Sequence, residues 1–255
     1  VMSRLGLAVH RFRPDALEVA GRVISWATTN GYEVVVDESD LASIRSDAVT
    51  RGDVGDVDVL VSIGGDGTML RSVHVLNGRV VPLIGVNLGQ LGYLAVVEDD
   101  EVIDSLEVWH NGTEGSEYHY DDRMLLEVSM WANGARLSNH LAMNEVVIEK
   151  SEAGHTVRLG VDIDKAMFTT YAADGLILAT PTGSTAYSMS ARGPILSPRL
   201  RAILMTPVSP HMLFDRSMVL DPQELVRIEI LGHRSVNVAT DGELVHTLRP
   251  GDVVE

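Results

Sequence analysis

Short apolar runs alternate with helix-length amphipathic segments over the first third of the chain. Leu5-Gly6-Leu7-Ala8-Val9 predicts a buried strand. Pro14 then opens a helix in which Ala16, Leu17, Val19, Ala20, Val23 and Ile24 recur at near-helical spacing until Asn30-Gly31. Tyr32-Glu33-Val34-Val35-Val36 predicts a second strand, and residues 57–63 a third. A helix is expected to start at Thr68 and run to about Leu76, followed by a strand in Val80-Val81-Pro82-Leu83-Ile84-Gly85-Val86. This alternation implies a parallel sheet with helices on both faces.

Beyond about Val97 the pattern changes. Leu125–Met130, Glu145-Val146-Val147-Ile148-Glu149, residues 157–163, Leu176-Ile177-Leu178-Ala179 and Val226-Arg227-Ile228-Glu229-Ile230 read as short strands with few helices between them. Several alternate apolar and polar residues, as half-buried antiparallel strands do. The fold class expected is therefore α/β plus β. An N-terminal α/β domain with a parallel sheet takes residues 1–97 and a C-terminal β-rich domain takes residues 98–255, the change of character falling over 97–120.

Composition narrows the chemistry. A net charge of −16 argues against broad nucleic-acid or anionic-membrane binding, and no apolar run approaches the length of a membrane span. The N-terminus lacks the pattern of a secretory signal, so a cytoplasmic protein is the default. Zero cysteines exclude disulfides and thiolate sites, and the nine histidines show no metal-ligand spacing. Only two of the 20 basic residues are lysines, Lys150 and Lys165, so any anion would meet mainly arginine.

The chemistry-bearing segment is Ile63-Gly64-Gly65-Asp66-Gly67-Thr68, at the expected end of a strand. Gly64, Gly65 and Gly67 can take positive φ and leave N–H groups bare for a phosphate, and the dipole of the following helix points the same way. Asp66 among such groups suggests phosphoryl transfer, although an Asp there also suits the role of a cap for the helix at Thr68. The loop lacks the Lys-Ser/Thr of a Walker A motif and is not the Gly-x-Gly-x-x-Gly of a dinucleotide fold.

Later, a strand runs into Thr180-Pro181-Thr182-Gly183-Ser184-Thr185-Ala186-Tyr187-Ser188-Met189-Ser190, read as a short helix stopping at Gly193-Pro194. Thr182, Ala186 and Ser190 would share one small, hydroxyl-rich face that admits a ring or sugar, or simply packs closely against a neighbour. Asn144-Glu145 precedes an apolar strand, a placement that suits recognition of ribose hydroxyls or an adenine edge and equally suits a turn.

Taken together, Gly64–Thr68, the run 85–94 (Gly-Val-Asn-Leu-Gly-Gln-Leu-Gly-Tyr-Leu), Asn144-Glu145 and the block from Asp174 to Pro194 resemble the motif set of the NAD kinases, in order and spacing. The resemblance spans about Leu5 to Asp252. It implies transfer of a phosphoryl group from ATP, or from inorganic polyphosphate, to the 2′-hydroxyl of the adenosine ribose of NAD, with a divalent metal such as Mg²⁺. It also implies a homodimer or homotetramer and an active site between the two domains. In this reading Asp66 is the catalytic base. Gly67 lies against the same ribose, while Gly64, Gly65, Gly67 and Thr68 receive the donor's phosphates. Asn144 and Glu145 hold the dinucleotide, Asp174 stands at the nicotinamide end, and Thr182, Thr185, Ala186, Tyr187, Ser188, Met189 and Ser190 line the pocket. Tyr93 stands beside the adenine, and Arg71 and His155 can meet phosphate or ribose oxygens, although His155 also reads as an exposed loop residue. Metal ligands are not assigned.

Other readings within reach are a lipid kinase of the same superfamily, acting on diacylglycerol or sphingosine, and a non-catalytic NAD-sensing module. Two departures from the family pattern stand out. Family members usually continue past Arg249-Pro250-Gly251-Asp252 with a segment that packs back on the N-terminal domain, whereas this sequence ends at Glu255. Residues 39–55 match poorly and are expected to form a mobile loop.

Overall fold

The computed structural model describes residues 2–44, 46–89 and 92–255. They form two compact units, Val1–Asp121 and Asp122–Glu255. The division falls at Asp121, later than the change of character at Val97, because strand β6 (Val97–Glu98) and helix α4 (Val102–Asn111) belong with the first sheet.

The first unit is built on one all-parallel sheet. Its strands are β1 (Arg4–Val9), β2 (Glu33–Val36), β3 (Val49–Arg51), β4 (Val59–Gly64), β5 (Leu83–Asn87) and β6, in the order β3-β2-β1-β4-β5-β6. Leu5, Leu7 and Val9 of β1 pack with Ala16, Val19, Ala20 and Val23 of α1 (Pro14–Thr29) and with Val102 and Leu106 of α4 on one face. Ala8, Val35 and Leu60 point to the other face, where Leu76 of α3 (Asp66–Leu76) covers them. The two-faced parallel sheet expected from the alternation is present.

Local differences have local causes. Strand β5 starts at Leu83 rather than Val80, since Pro82 has no N–H to give the ladder, and Val80 is exposed. Residues 39–55 are not a plain loop: they contain most of a one-turn helix α2 (Glu38–Leu41) and the edge strand β3, which pairs with β2 from Val34↔Val49 to Val36↔Arg51. Their polar composition reflects an edge position.

The second unit consists of two antiparallel sheets. One has the order β11-β10-β15-β18-β7-β8 and the other β14-β13-β12-β9-β16-β17. The first uses β7 (Leu126–Ala132), β8 (Ala135–Ala142), β10 (Val157–Ile163), β11 (Ala166–Ala173), β15 (Val226–Leu231) and β18 (Val253–Val254). The second uses β9 (Glu145–Lys150), β12 (Gly175–Ala179), β13 (Ile203–Val208), β14 (Met218–Leu220), β16 (Val236–Thr240) and β17 (Glu243–Leu248). Their inner faces share one core, in which Val128, Met130, Leu159, Ile228 and Ile230 meet Val146, Ile148, Leu176, Leu178 and Val238. Strand β12 is apolar throughout because its other face, Ile177 and Ala179, is covered too, by Leu204, Ala191 and Leu196. No helix among the described residues is long and apolar enough to cross a membrane.

Candidate active site

In the first unit, β4 ends at Gly64 and α3 begins two residues later, at Asp66 rather than Thr68. Gly65 occupies the N-cap position with extended φ of −156°, and none of Gly64, Gly65 and Gly67 has positive φ. Gly64 is needed for space rather than for a left-handed turn. A Cβ on Gly64 would collide with the Thr68 side chain, whereas Gly65 and Gly67 face open space, so their backbone remains approachable. At the start of α3 the N–H groups of Thr68 and Met69 donate to the Gly65 carbonyl at 2.9 and 3.1 Å, while those of Asp66 and Gly67 precede any intrahelical acceptor and present the positive dipole end.

These groups line a cavity of about 510 Å³ formed by His10, Arg11, Phe12, Arg13, Gly64, Gly65, Gly67, Thr68, Arg71, Asn87 and Gly89. That volume suits a small-molecule ligand. The β1–α1 loop supplies His10 through Arg13, none of which is marked by a sequence pattern. Arg13 is tied to Asp15 and to the Leu88 carbonyl. Arg71 donates to both oxygens of Asp40, at 2.8 and 2.9 Å, and to the Val9 carbonyl at 2.7 Å.

Asp66 is not on the cavity wall. Its carboxylate turns to the 93–95 loop, where Oδ2 accepts the N–H of Tyr93 at 2.9 Å and Oδ1 accepts those of Leu94 and Ala95 at 3.1 and 3.2 Å. Gly92 is dictated by this seat, because any Cβ there would strike the carboxylate. Tyr93 contributes its backbone while its ring stays exposed. Gln90 and Leu91 of the same motif lie outside the described residues.

In the second unit, Asn144-Glu145 sits at the start of β9 and is clamped from three directions. Asp241 accepts the N–H groups of Met143, Asn144 and Glu145 at 2.8, 2.7 and 3.1 Å. Thr180 donates its N–H to the Asn144 carbonyl at 2.8 Å, and its hydroxyl donates to the Met143 carbonyl at 2.5 Å. Gly183 lies so close that a Cβ would run into the Asn144 backbone. Glu145 is buried, and one of its carboxylate oxygens, Oε2, has no partner. Burial first, and then the nearby Asp241, push its pKa up to about 7, against the N–H of Tyr187, which pulls it down.

The segment 182–190 is not the single helix expected. A 3₁₀ turn over Thr182–Thr185 breaks at Ala186 (φ −95°, ψ −128°), and a separate α-turn, α5, spans Tyr187–Ser190. Thr182, Ala186 and Ser190 therefore do not form one helical stripe. Thr182 is buried, with Arg123 near its hydroxyl at 3.4 Å, and Thr185 donates back to the Thr182 carbonyl. Ser188, expected in the pocket, turns inward instead and bonds Thr206 at 3.0 Å, which in turn bonds Ser217. Met189 and Ser190 are exposed. Asp174, between β11 and β12, pairs with Lys150 at 2.7 Å, and Asp174 and Glu149 both help hold the Tyr187 phenol above its ordinary pKa, after burial. Glu145, Asp174 and Tyr187 are thus linked, whereas His155 stands exposed before β10 and no described hydrogen bond or ion pair joins it to them.

Among the described residues no three His, Asp or Glu side chains are grouped to hold a metal. Asp40, Arg11, Arg13 and Asp241 are the residues that sequence reasoning missed. Of these only Asp241-Gly242 carried a signal, a two-residue hairpin turn with φ of 48° and 84° between β16 and β17.

The same two units are found in known proteins. The ATP-NAD kinase N-terminal domain family matches residues 5–113, and the ATP-NAD kinase C-terminal domain family matches residues 143–255. The NAD kinase of Syntrophotalea carbinolica is 40% identical over 259 residues, spanning 100% of this chain and 89% of that protein. The NAD kinase of Heliobacterium modesticaldum is 35% identical, spanning 99% and 89%. Among solved structures, yeast NADH kinase complexed with NADH superposes with a TM-score of 0.89 at 28% identity, covering 99% of this chain and 79% of that one. An NAD kinase from Archaeoglobus fulgidus in complex with ATP shares the fold, with a TM-score of 0.74 at 21% identity over 98% and 88%. With matched domains, a relative 40% identical over the whole of this chain and the same parallel-sheet and antiparallel-sheet units, this chain belongs to the NAD kinase family of phosphotransferases.

Proposed function

We propose that Asp66 is the base that receives the proton of the adenosine 2′-hydroxyl of NAD as a phosphoryl group is transferred to it from ATP or polyphosphate, giving NADP. The observation that carries this is the seat of the carboxylate. Among the described residues Oδ1 accepts two N–H groups and Oδ2 one, so Oδ2 has a lone pair for a hydroxyl proton while the loop holds the group still. Phosphoryl transfer passes through a loose transition state, and positioning outweighs strong basicity.

The glycine-lined cavity is read as the place of the donor's phosphates. Bare N–H groups and the dipole at the head of α3 favour anions, and Arg11, Arg13 and Arg71 supply fixed positive charge within an acidic chain. A divalent metal such as Mg²⁺ would enter with those phosphates, since Mg²⁺ is commonly held through substrate phosphates and water. In the second unit, Asn144 and Glu145 are read as holding the dinucleotide, with Thr182, Thr185, Ala186, Tyr187 and Ser190 around it and Asp174 toward the nicotinamide. Ser188 is left out because its hydroxyl is spent on Thr206. Assembly as a homodimer or homotetramer and a cytoplasmic location complete the proposal.

The experiment is an assay of NADP formation from NAD with ATP and, separately, with polyphosphate, each with and without Mg²⁺. NADP formed with ATP and Mg²⁺ is expected. Absence of NADP with every donor would overturn the reading.

A further inference from the structure

We infer that Asp40 is a positioning residue that aims two arginines at the donor's phosphates. The inference rests on reading the glycine-lined cavity as the donor's phosphate site. Asp40 is 1% exposed, and its carboxylate sits among donors. One oxygen accepts Nε of Arg11 at 2.9 Å and Nη1 of Arg71 at 2.8 Å. The other accepts the same Nη1 at 2.9 Å and the N–H of Val9 at 3.2 Å. A carboxylate buried this fully is tolerated only when paired and hydrogen-bonded.

The partners come from separate elements. Asp40 lies on α2, Arg11 on the loop after β1, and Arg71 on the second turn of α3. Both arginines line the cavity beside Gly64, Gly65 and Gly67, and both are partly exposed there, at 37% and 28% of the side chain. Arg11 reaches Asp40 through Nε, so its terminal Nη1 and Nη2 stand outside that bond. Arg71 is fixed at both ends of its fork, by Asp40 and by the Val9 carbonyl. Asp37 adds a second, less buried carboxylate that Arg11 and Arg71 stabilise, although its main bonds are to Ser39. Asp40 itself faces protein and not the cavity, whose wall does not include it. Its effect on a donor must therefore pass through the guanidinium groups, which lose less entropy on meeting a phosphate when they are already held.

The test is steady-state kinetics of the full chain with ATP as donor, comparing Asp40→Asn, Arg71→Gln, Arg11→Gln and the double variant Asp40→Asn/Arg71→Gln. Asp40→Asn should raise the KM for ATP by about tenfold, the loss of one charge-assisted bond's worth of binding, while the KM for NAD stays within about twofold. In the double variant the added cost of Asp40→Asn should be smaller than in the parent, because only Arg11 is then left for Asp40 to position. A merely structural role would move both KM values or neither. An unchanged KM for ATP in Asp40→Asn, or equal rises for ATP and NAD, overturns the inference while leaving the cavity reading intact if Arg71→Gln and Arg11→Gln still weaken ATP. If those two variants leave the KM for ATP unchanged, the cavity reading itself fails. Should Asp40→Asn not fold, Asp40→Glu keeps the charge but shifts it by one methylene. It should give a smaller rise confined to ATP, and no rise counts against the inference.

Discussion

The carboxylate of Asp66 accepts the backbone N–H of Tyr93 at 2.9 Å, so the proposed base is held by a main-chain donor from a loop 27 residues away. The neighbouring Gly92 leaves just enough room for it. Gly92→Ala puts a methyl group into the carboxylate and should displace it. The expected result is a fall in kcat of about 10²-fold, as for misplacement of a reacting group by an ångström, with little change in Tm. Parental kcat in Gly92→Ala would show that the seat is not needed.

Asp241 organises Asn144-Glu145 through three N–H groups. Asp241→Asn keeps a side chain that tolerates the φ of 48° but offers one acceptor oxygen in place of two. At least the Met143 N–H then loses its acceptor, at a cost of about 1–3 kcal/mol in unfolding free energy. Denaturant unfolding measures this, and kinetics should show a raised KM for NAD with that for ATP unchanged. An unaltered KM for NAD would separate the clamp from dinucleotide binding.

Glu145 makes stability depend on pH. Its pKa is raised from 4.5 to about 7, so between these values the folded chain binds more protons than the unfolded one. Stability therefore falls as pH rises from about 4.5 to about 7 and this contribution levels off above, with a total of roughly 3 kcal/mol. Glu145→Gln removes this contribution and should gain in Tm relative to the parent at pH 8 but not at pH 5. Equal differences at the two pH values would contradict a raised carboxyl pKa.

Asn144 also depends on a close backbone approach by Gly183. Gly183→Ala forces two backbones apart, with no flexible side chain to give way, and should lower both Tm and affinity for NAD, read by thermal melts and titration. A variant as stable and as tight as the parent would mean that the approach is dispensable.

The sheet of the first unit was legible because β1, β2, β4 and β5 are continuous apolar runs, as central parallel strands must be. The edge strand β3, with Thr50 and Arg51 exposed, and the two-residue β18 carry too little pattern to read. Asp66, Asn144, Glu145 and the 182–190 segment stood out by residue type, but their seats did not. Asp40 belongs with Arg11 and Arg71, 29 and 31 residues away, and Asp241 with Asn144, 97 residues away. Only the order of the strands brings such groups together, and no local spacing encodes that. The break at Ala186 was hidden for a related reason. Every residue from Thr182 to Ser190 tolerates a helix, and it is burial of Ser188 against Thr206 that accompanies the turn inward.

Asp66→Asn, assayed for NADP formation beside a titration with NAD, tests the role of the carboxylate. Asparagine keeps the size of the side chain and one acceptor for the 93–95 loop, but it cannot take a proton from a hydroxyl. The expected result is NAD affinity within about threefold of the parent and a kcat lower by about 10²-fold or more, the usual contribution of a general base. NADP formation by Asp66→Asn at the parental rate would contradict the assignment.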